Sequence, residues 1–119
     1  MEKIDERTYN FALRIIRLVN ALPNNKIGDV LGRQVLRSGT SIGANVEEAF
    51  GASSKREFTR MMSIAQREAR ETHYWLRLIR DSGVVTAKRI EGLVQEALEI
   101  KRILSKSVLT SKNRKGNGG

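Results

Sequence analysis

Between Phe58 and Ile79 the side chains Phe58, Met62, Ala65, Ala69, Thr72, Leu76 and Ile79 recur at steps of 4, 3, 4, 3, 4 and 3. On a strand this set would scatter over both faces, whereas on an α-helix it forms one continuous seam. A helix with an apolar seam is not stable alone and has to bury that seam against other helices. The rest of the sequence is compatible with this demand: the 119 residues contain a single proline, Pro23, and no alternating run of β-branched residues. The chain therefore reads as all-α.

Punctuation divides it into four helices. The first spans about Asp5 to Leu22, with Phe11, Ile15, Leu18 and Leu22 on one face, and is closed by "LPNNK". Asn24 or Asn25 can cap the second through a side-chain oxygen. "SKRE" at residues 54–57 is a capping-box pattern for the third helix, which "DSG" ends at Gly83. Thr86 caps the fourth, with Val85 and Ile90 at staple positions, and Ile90, Val94, Ala97, Leu104 and Val108 give it an apolar side. Short links between long helices imply an antiparallel up-down-up-down four-helix bundle over residues 1–110. The remaining residues, 111–119, "SKNRKGNGG", have nothing to bury and are expected to form a disordered basic tail.

The stretch "LRSGTSIGANVEEA", residues 36–49, at first resembles a phosphate-cradling loop. It has neither of the two glycine spacings such loops use, and no strand precedes it. On a helical wheel Leu31, Ile42, Val46 and Ala49 lie within about 40° of Val35, so the apolar stripe crosses the glycines without a phase break. Gly28, Gly32, Gly39 and Gly43 then share one edge, between about 20° and 80°. Four helical glycines cost about 3–4 kcal/mol relative to alanine. Burial of roughly 150 Å² more apolar surface offsets that, which close approach of a neighbouring helix can supply. Asn45, at the core edge, is expected to fix helix register through Glu68, Glu71 or Thr72.

Catalytic constellations are weak. Glu47, Glu48, Glu68 and Glu71 raise the question of a di-iron bundle, but the only histidine, His73, has no glutamate three residues before it. Ser38 and Ser41 have no evident base. No metal, cofactor or catalytic residue is expected, and the chain reads as a non-enzyme. The absence of cysteine fits a reducing compartment. With a charged N-terminus and no apolar run near 20 residues, a soluble cytoplasmic protein without membrane contact is expected.

Lysine and arginine number 22 against 13 acids, a formal charge of +9. The excess grows along the chain: 7 basic and 6 acidic residues in 1–50, 7 and 4 in 51–85, 8 and 3 in 86–119. A polyanion is the natural partner of such a surface. Arg56, Arg60, Arg67, Arg70 and Arg77, with Tyr74 among them, lie about 100° to 200° from the helix-three seam and would meet phosphates there, with Lys106 in the basic C-terminal segment. The competing reading is a solvated face of i,i+4 ion pairs such as Arg67 with Glu71. Met61, Ile64, Trp75 and Ile79 form a second apolar strip at about −60° to −120°. That strip is either a subunit interface, the reading preferred here, or one side of a broad core face.

"SGTSIGAN", the "SK-x-x-F" start of helix three and "EARETHYWL" resemble the bacterial proteins of the 23S rRNA intervening-sequence family. "VEEAFGA" departs from the more usual "AEG"-like continuation. The resemblance implies a noncatalytic bundle that assembles as a homopentameric ring. Accessory proteins of diversity-generating retroelements are similar in fold, which implies nucleic acid, RNA foremost, and a reverse transcriptase as partners. The family supplies no catalytic residue, and Ser38, Ser41, Asn45, Glu68, Glu71, Thr72 and Trp75 fall on its motif positions as framework.

Overall fold

The computed structural model describes residues 2–118, with side chains placed as far as Asn113. Four helices follow one another, α1 (Ile4–Ala21), α2 (Lys26–Phe50), α3 (Lys55–Ser82) and α4 (Ala87–Gly118), and no strand occurs among the described residues. The linkers span residues 22–25, 51–54 and 83–86. Each boundary has a local cause. Asn25 caps α2 by accepting from the Gly28 amide at 2.8 Å. Ser54 caps α3 by accepting from the Glu57 amide at 3.1 Å, and Gly83, at φ 76°, ends that helix in the left-handed region that a glycine enters without strain. The reciprocal half of the capping box is not made, because the Glu57 carboxylate turns to Arg60 at 2.8 Å instead. At the start of α4 the Thr86 carbonyl accepts from the Arg89 amide, Val85 is half-buried and Ile90 is fully buried.

Pairings between helices fix the packing. Thr8 and Ile15 of α1, and Leu22 just past its end, lie against Gly43, Gly39 and Gly32 of α2. Phe50 stacks on Phe58, while farther from that turn Ser38 bonds Thr72. Arg80, Gln66 and Thr59 of α3 meet Glu91, Ser105 and Ser111 of α4. In each series numbers rise on one helix as they fall on the next, the signature of antiparallel neighbours. Arg7 meets Glu96 and Arg14 lies beside Gly92, which gives α1 and α4 the same relation. The α1–α4 seam is the sparsest, and among the described residues the backbones of the diagonal pairs, α1 with α3 and α2 with α4, do not approach within 8 Å between Cα atoms.

The core holds most of the set the periodicity predicts, Phe11, Ile15 and Leu18 from α1, Val35, Ile42 and Val46 from α2, Met62, Ala65, Ala69, Leu76 and Ile79 from α3, and Ile90, Val94, Ala97, Leu104 and Val108 from α4; Leu93 and Ile100 join it, while the expected Leu31 and Phe58 are only partly buried. Two buried polar links join helices within it, Ser38 with Thr72 between α2 and α3 and Thr59 with Ser111 between α3 and α4. Thr72 Oγ1 reaches Ser38 Oγ at 2.9 Å and the Glu68 carbonyl at 2.8 Å, and both hydroxyl residues are fully buried. A satisfied polar pair in apolar surroundings, here Ser38 with Thr72, favours a single register between α2 and α3.

Three expectations need correction. The domain boundary at residue 110 falls too early: α4 continues, and Ser111 is buried with its hydroxyl bonded to Thr59. A polar residue that finds a buried partner prolongs the packed segment, which an apolar-only reading overlooks. The side chains of 114–119, the rest of the expected disordered tail, lie outside the described residues. Asn45 pairs with none of Glu68, Glu71 or Thr72. Its amide donates to the Ser41 carbonyl one turn back, and the register role passes to Ser38. Ile79 cannot face another subunit, since it is fully buried in the core.

Candidate nucleic-acid interface

The glycine edge of α2 is where the fold is tightest, and it positions everything on α1. Gly28, Gly32, Gly39 and Gly43 are all buried. A Cβ at Gly28 would stand 2.1 Å from the Pro23 carbonyl oxygen, and one at Gly39 would stand 2.9 Å from Ile15 Cγ1. At Gly32 the nearest atom is Leu22 Cδ1 at 3.2 Å, while at Gly43 the Thr8 backbone sits at an ordinary 3.4 Å. The edge is thus a packing groove for α1 and its following turn.

Helix α3 presents the basic stripe. Arg56, Arg60, Arg67, Arg70 and Arg77 are all exposed, spaced so that they share the face opposite the seam. Their electrostatic states differ. Arg60 is engaged by Glu57 at 2.8 Å, and each group favours the charged form of the other: the glutamate is held below the usual carboxylate range and the guanidinium is raised. Arg56, Arg67, Arg70 and Arg77 form no ion pair among the described residues. The Arg67–Glu71 pair of the competing reading is absent among the described residues, because Glu71 is taken by Arg37 of α2 and by the Trp75 indole N–H at 3.3 Å. Arg37 also reaches Glu68 at 3.4 Å, so α2 ties down both carboxylates that could have neutralised the stripe. Arg77 lies over the half-exposed Tyr74 ring, 5.9 Å from its centroid, and Tyr74 meets Trp75 edge-on at 5.2 Å.

His73 is partly buried beside this face. Desolvation holds its pKa below the ordinary value, and the charges of Arg77, Lys101, Arg80 and Arg102 lower it further. Among the described residues no group of three or more His, Asp or Glu is placed to hold a metal ion.

Lys106 stands apart from the stripe. It is exposed at the rim of an open groove of about 860 Å³ where the α2–α3 turn meets α4, lined by Ala49, Phe50, Phe58, Ile103 and Lys55 among others. Phe50 is 51% exposed there, so this groove carries uncovered apolar surface, as do Tyr9, Leu13 and Ile16 on α1. Met61 and Trp75 pack against the core, Ile64 is half-buried and Ile79 is enclosed, which makes the expected strip on α3 one side of a broad core face. A second basic cluster, Arg14, Arg17 and Arg89, lines a cleft between α1 and α4. Sequence reasoning missed it because its members come from helices at opposite ends of the chain. The +5 bias of residues 86–119 pointed only toward the α4 side.

No described helix is long and apolar enough to cross a membrane. No curated protein matches the chain. Among solved structures, the crystal structure of a protein of unknown function from the S23 ribosomal protein family of Bacteroides thetaiotaomicron is similar. It is 37% identical, with a TM-score of 0.83, over 89% of this chain and 98% of that one. The family model described as 23S rRNA-intervening sequence protein matches residues 3–106, all of α1 to α3 and most of α4. The motifs in α2 and α3, the four-helix architecture and this match agree, and the chain belongs to the 23S rRNA-intervening sequence protein family.

Proposed function

We propose that this chain is a noncatalytic, oligomeric protein of the cytoplasm that binds RNA or another nucleic acid through its phosphates. The observation that carries the reading is the set of four exposed α3 arginines, Arg56, Arg67, Arg70 and Arg77, left without carboxylate partners while Arg37 occupies Glu68 and Glu71. Free guanidinium groups along one helix face meet successive phosphates, and Tyr74 offers a plane on which an unpaired base stacks. Binding to a 23S rRNA fragment, followed by fluorescence anisotropy, should weaken by orders of magnitude between about 50 and 200 mM salt through counterion release. The double charge reversal Arg67→Glu, Arg70→Glu should abolish it with helical circular dichroism unchanged. A flat salt response, or unchanged affinity in a folded variant, would overturn the proposal.

Self-association is supported by two exposed apolar surfaces that differ in charge. Tyr9, Leu13 and Ile16 form a stripe on α1 beginning beside Asp5 and Glu6, and the groove at the α2–α3 turn is flanked by Lys55 and Lys106. Two unlike, complementary patches on one chain favour a heterologous contact, the kind that builds a ring where its rotation closes. The proposed assembly is the pentamer implied by the family resemblance. Light scattering should then give about five times the chain mass of 13.4 kDa, and a monomer would exclude it. The same groove favours a second reading, an accessory subunit for a nucleic-acid enzyme such as a reverse transcriptase. A stoichiometric protein partner that survives nuclease treatment would select it.

A further inference from the structure

We propose that the cleft between α1 and α4 walled by Arg14, Arg17 and Arg89 is a binding site for a phosphate oxyanion, separate from the α3 stripe. The cleft has a volume of about 240 Å³, and its other lining residues, Leu18 and Leu93, are buried core side chains. Three exposed arginines therefore rim a cleft whose floor is apolar, so a ligand there meets their charge with little competing polar surface beneath it.

None of the three arginines forms an ion pair among the described residues. Arg14 does lower the Glu96 pKa through its charge, but the Glu96 carboxylate is committed to Arg7, with both oxygens accepting at 2.8 Å. Glu91, two residues from Arg89, reaches Arg80 of α3. The carboxylates that α4 could offer the cleft thus point elsewhere.

Local backbone chemistry adds to the unbalanced charge. Lys88 and Arg89 sit in the first turn of α4, which holds no acidic residue, although the positive end of the helix dipole favours anions there. Gly92 supplies the remaining element. A Cβ at that position would lie 3.2 Å from Arg14 Nη2, so the absent side chain lets the guanidinium lie against the α4 backbone. Guanidinium forks match the oxygens of a phosphate group, and three of them offer more N–H donors than a two-oxygen carboxylate can accept. Phosphate is therefore the oxyanion class the cleft fits.

The test uses the full chain and inorganic phosphate as probe, following arginine Nε–Hε resonances by NMR against sodium chloride of matched ionic strength. Phosphate should perturb Arg14, Arg17 and Arg89 saturably and leave Arg56, Arg67, Arg70 and Arg77 at their chloride values. The double variant Arg14→Gln, Arg89→Gln should lose about ten-fold or more in affinity, the order expected for losing charge-assisted hydrogen bonds, with circular dichroism unchanged. Gly92→Ala, which suits a helix, should weaken binding less by displacing Arg14 alone. Non-saturating shifts, equal shifts at all arginines, or undiminished binding by the folded double variant would overturn the proposal. A short RNA that displaces phosphate identifies the source as a phosphodiester backbone, and phosphate that RNA leaves in place identifies a small phosphate compound; both results uphold the site. Because phosphate is titrated without RNA, this test and that of the α3 stripe fail independently.

Discussion

Helix α1 is held on its two flanks by opposite means. Toward α2 the partner offers bare backbone: Ile15 rests on Gly39 and the Thr8 main chain on Gly43, so the helices approach until side chains meet glycine Cα atoms. Toward α4 the contact is made by long side chains, with Arg7 bridging Glu96 and Glu99 and Arg14 lying over Gly92. One flank is tight, apolar and intolerant of added volume. The other is looser, charged and sensitive to pH and salt. A single helix can thus be anchored on one side and leave a polar cleft open on the other.

The strongest way to break the contrast is Gly39→Leu. A leucine there must displace Ile15, which is fully buried, and overpacking of this kind should cost about 3 kcal/mol or more. Urea unfolding measures it, and a loss below about 1 kcal/mol would mean that α1 does not sit on the glycine edge. On the opposite flank Arg7→Gln should cost less, about 1 kcal/mol, because the pair is partly solvated, with side chains 22% and 19% exposed.

The pH dependence of that pair has a definite sign. The Arg7 hydrogen bond and charge hold the Glu96 pKa below the ordinary carboxylate value, against a smaller opposing effect of burial. Its stabilisation is complete above the ordinary carboxylate range and is lost as pH falls through the lowered folded value. Unfolding followed from neutral to acid pH should show the gap between wild type and Arg7→Gln closing, and a gap independent of pH would contradict the assignment. The smallest effect sharpens the picture within the tight flank itself. At Gly43 the nearest atoms stand at 3.4 Å, so Gly43→Ala should be neutral or stabilising by up to about 1 kcal/mol, set against the severe loss at Gly39. Equal destabilisation at both glycines would show that the edge is uniformly tight.

These differences mark what the residues could tell in advance. Periodicity carries the phase of each helix, and with it the core, the glycine edge and the outward direction of the α3 arginines. It carries no register between helices. Asn45 and Ser38 both lie near the α2 seam, and which of them meets Thr72 depends on how far α3 is shifted along α2. The same missing information concealed Arg37, whose reach to Glu68 and Glu71 releases Arg67 from the i,i+4 pair its own helix would have made. Ser111 was hidden for a third reason: a polar residue reads as solvent-facing until its partner, Thr59, is known. The Arg14, Arg17 and Arg89 cleft needed the chain ends brought together before any of its members looked unusual.

The three linkers of residues 22–25, 51–54 and 83–86 have a consequence for how the molecule assembles. Three of the four seams join helices adjacent in sequence, so most of the structure can form as hairpins whose loop-closure entropy is small, and such low contact order goes with folding in microseconds to milliseconds. Only the α1–α4 seam spans the whole domain, with Arg7 and Glu96 separated by 89 positions. The helices and hairpins can therefore be in place before the two ends of the chain meet. The α1–α4 cleft is then the last feature of the bundle to exist and the first to disappear when α1 opens.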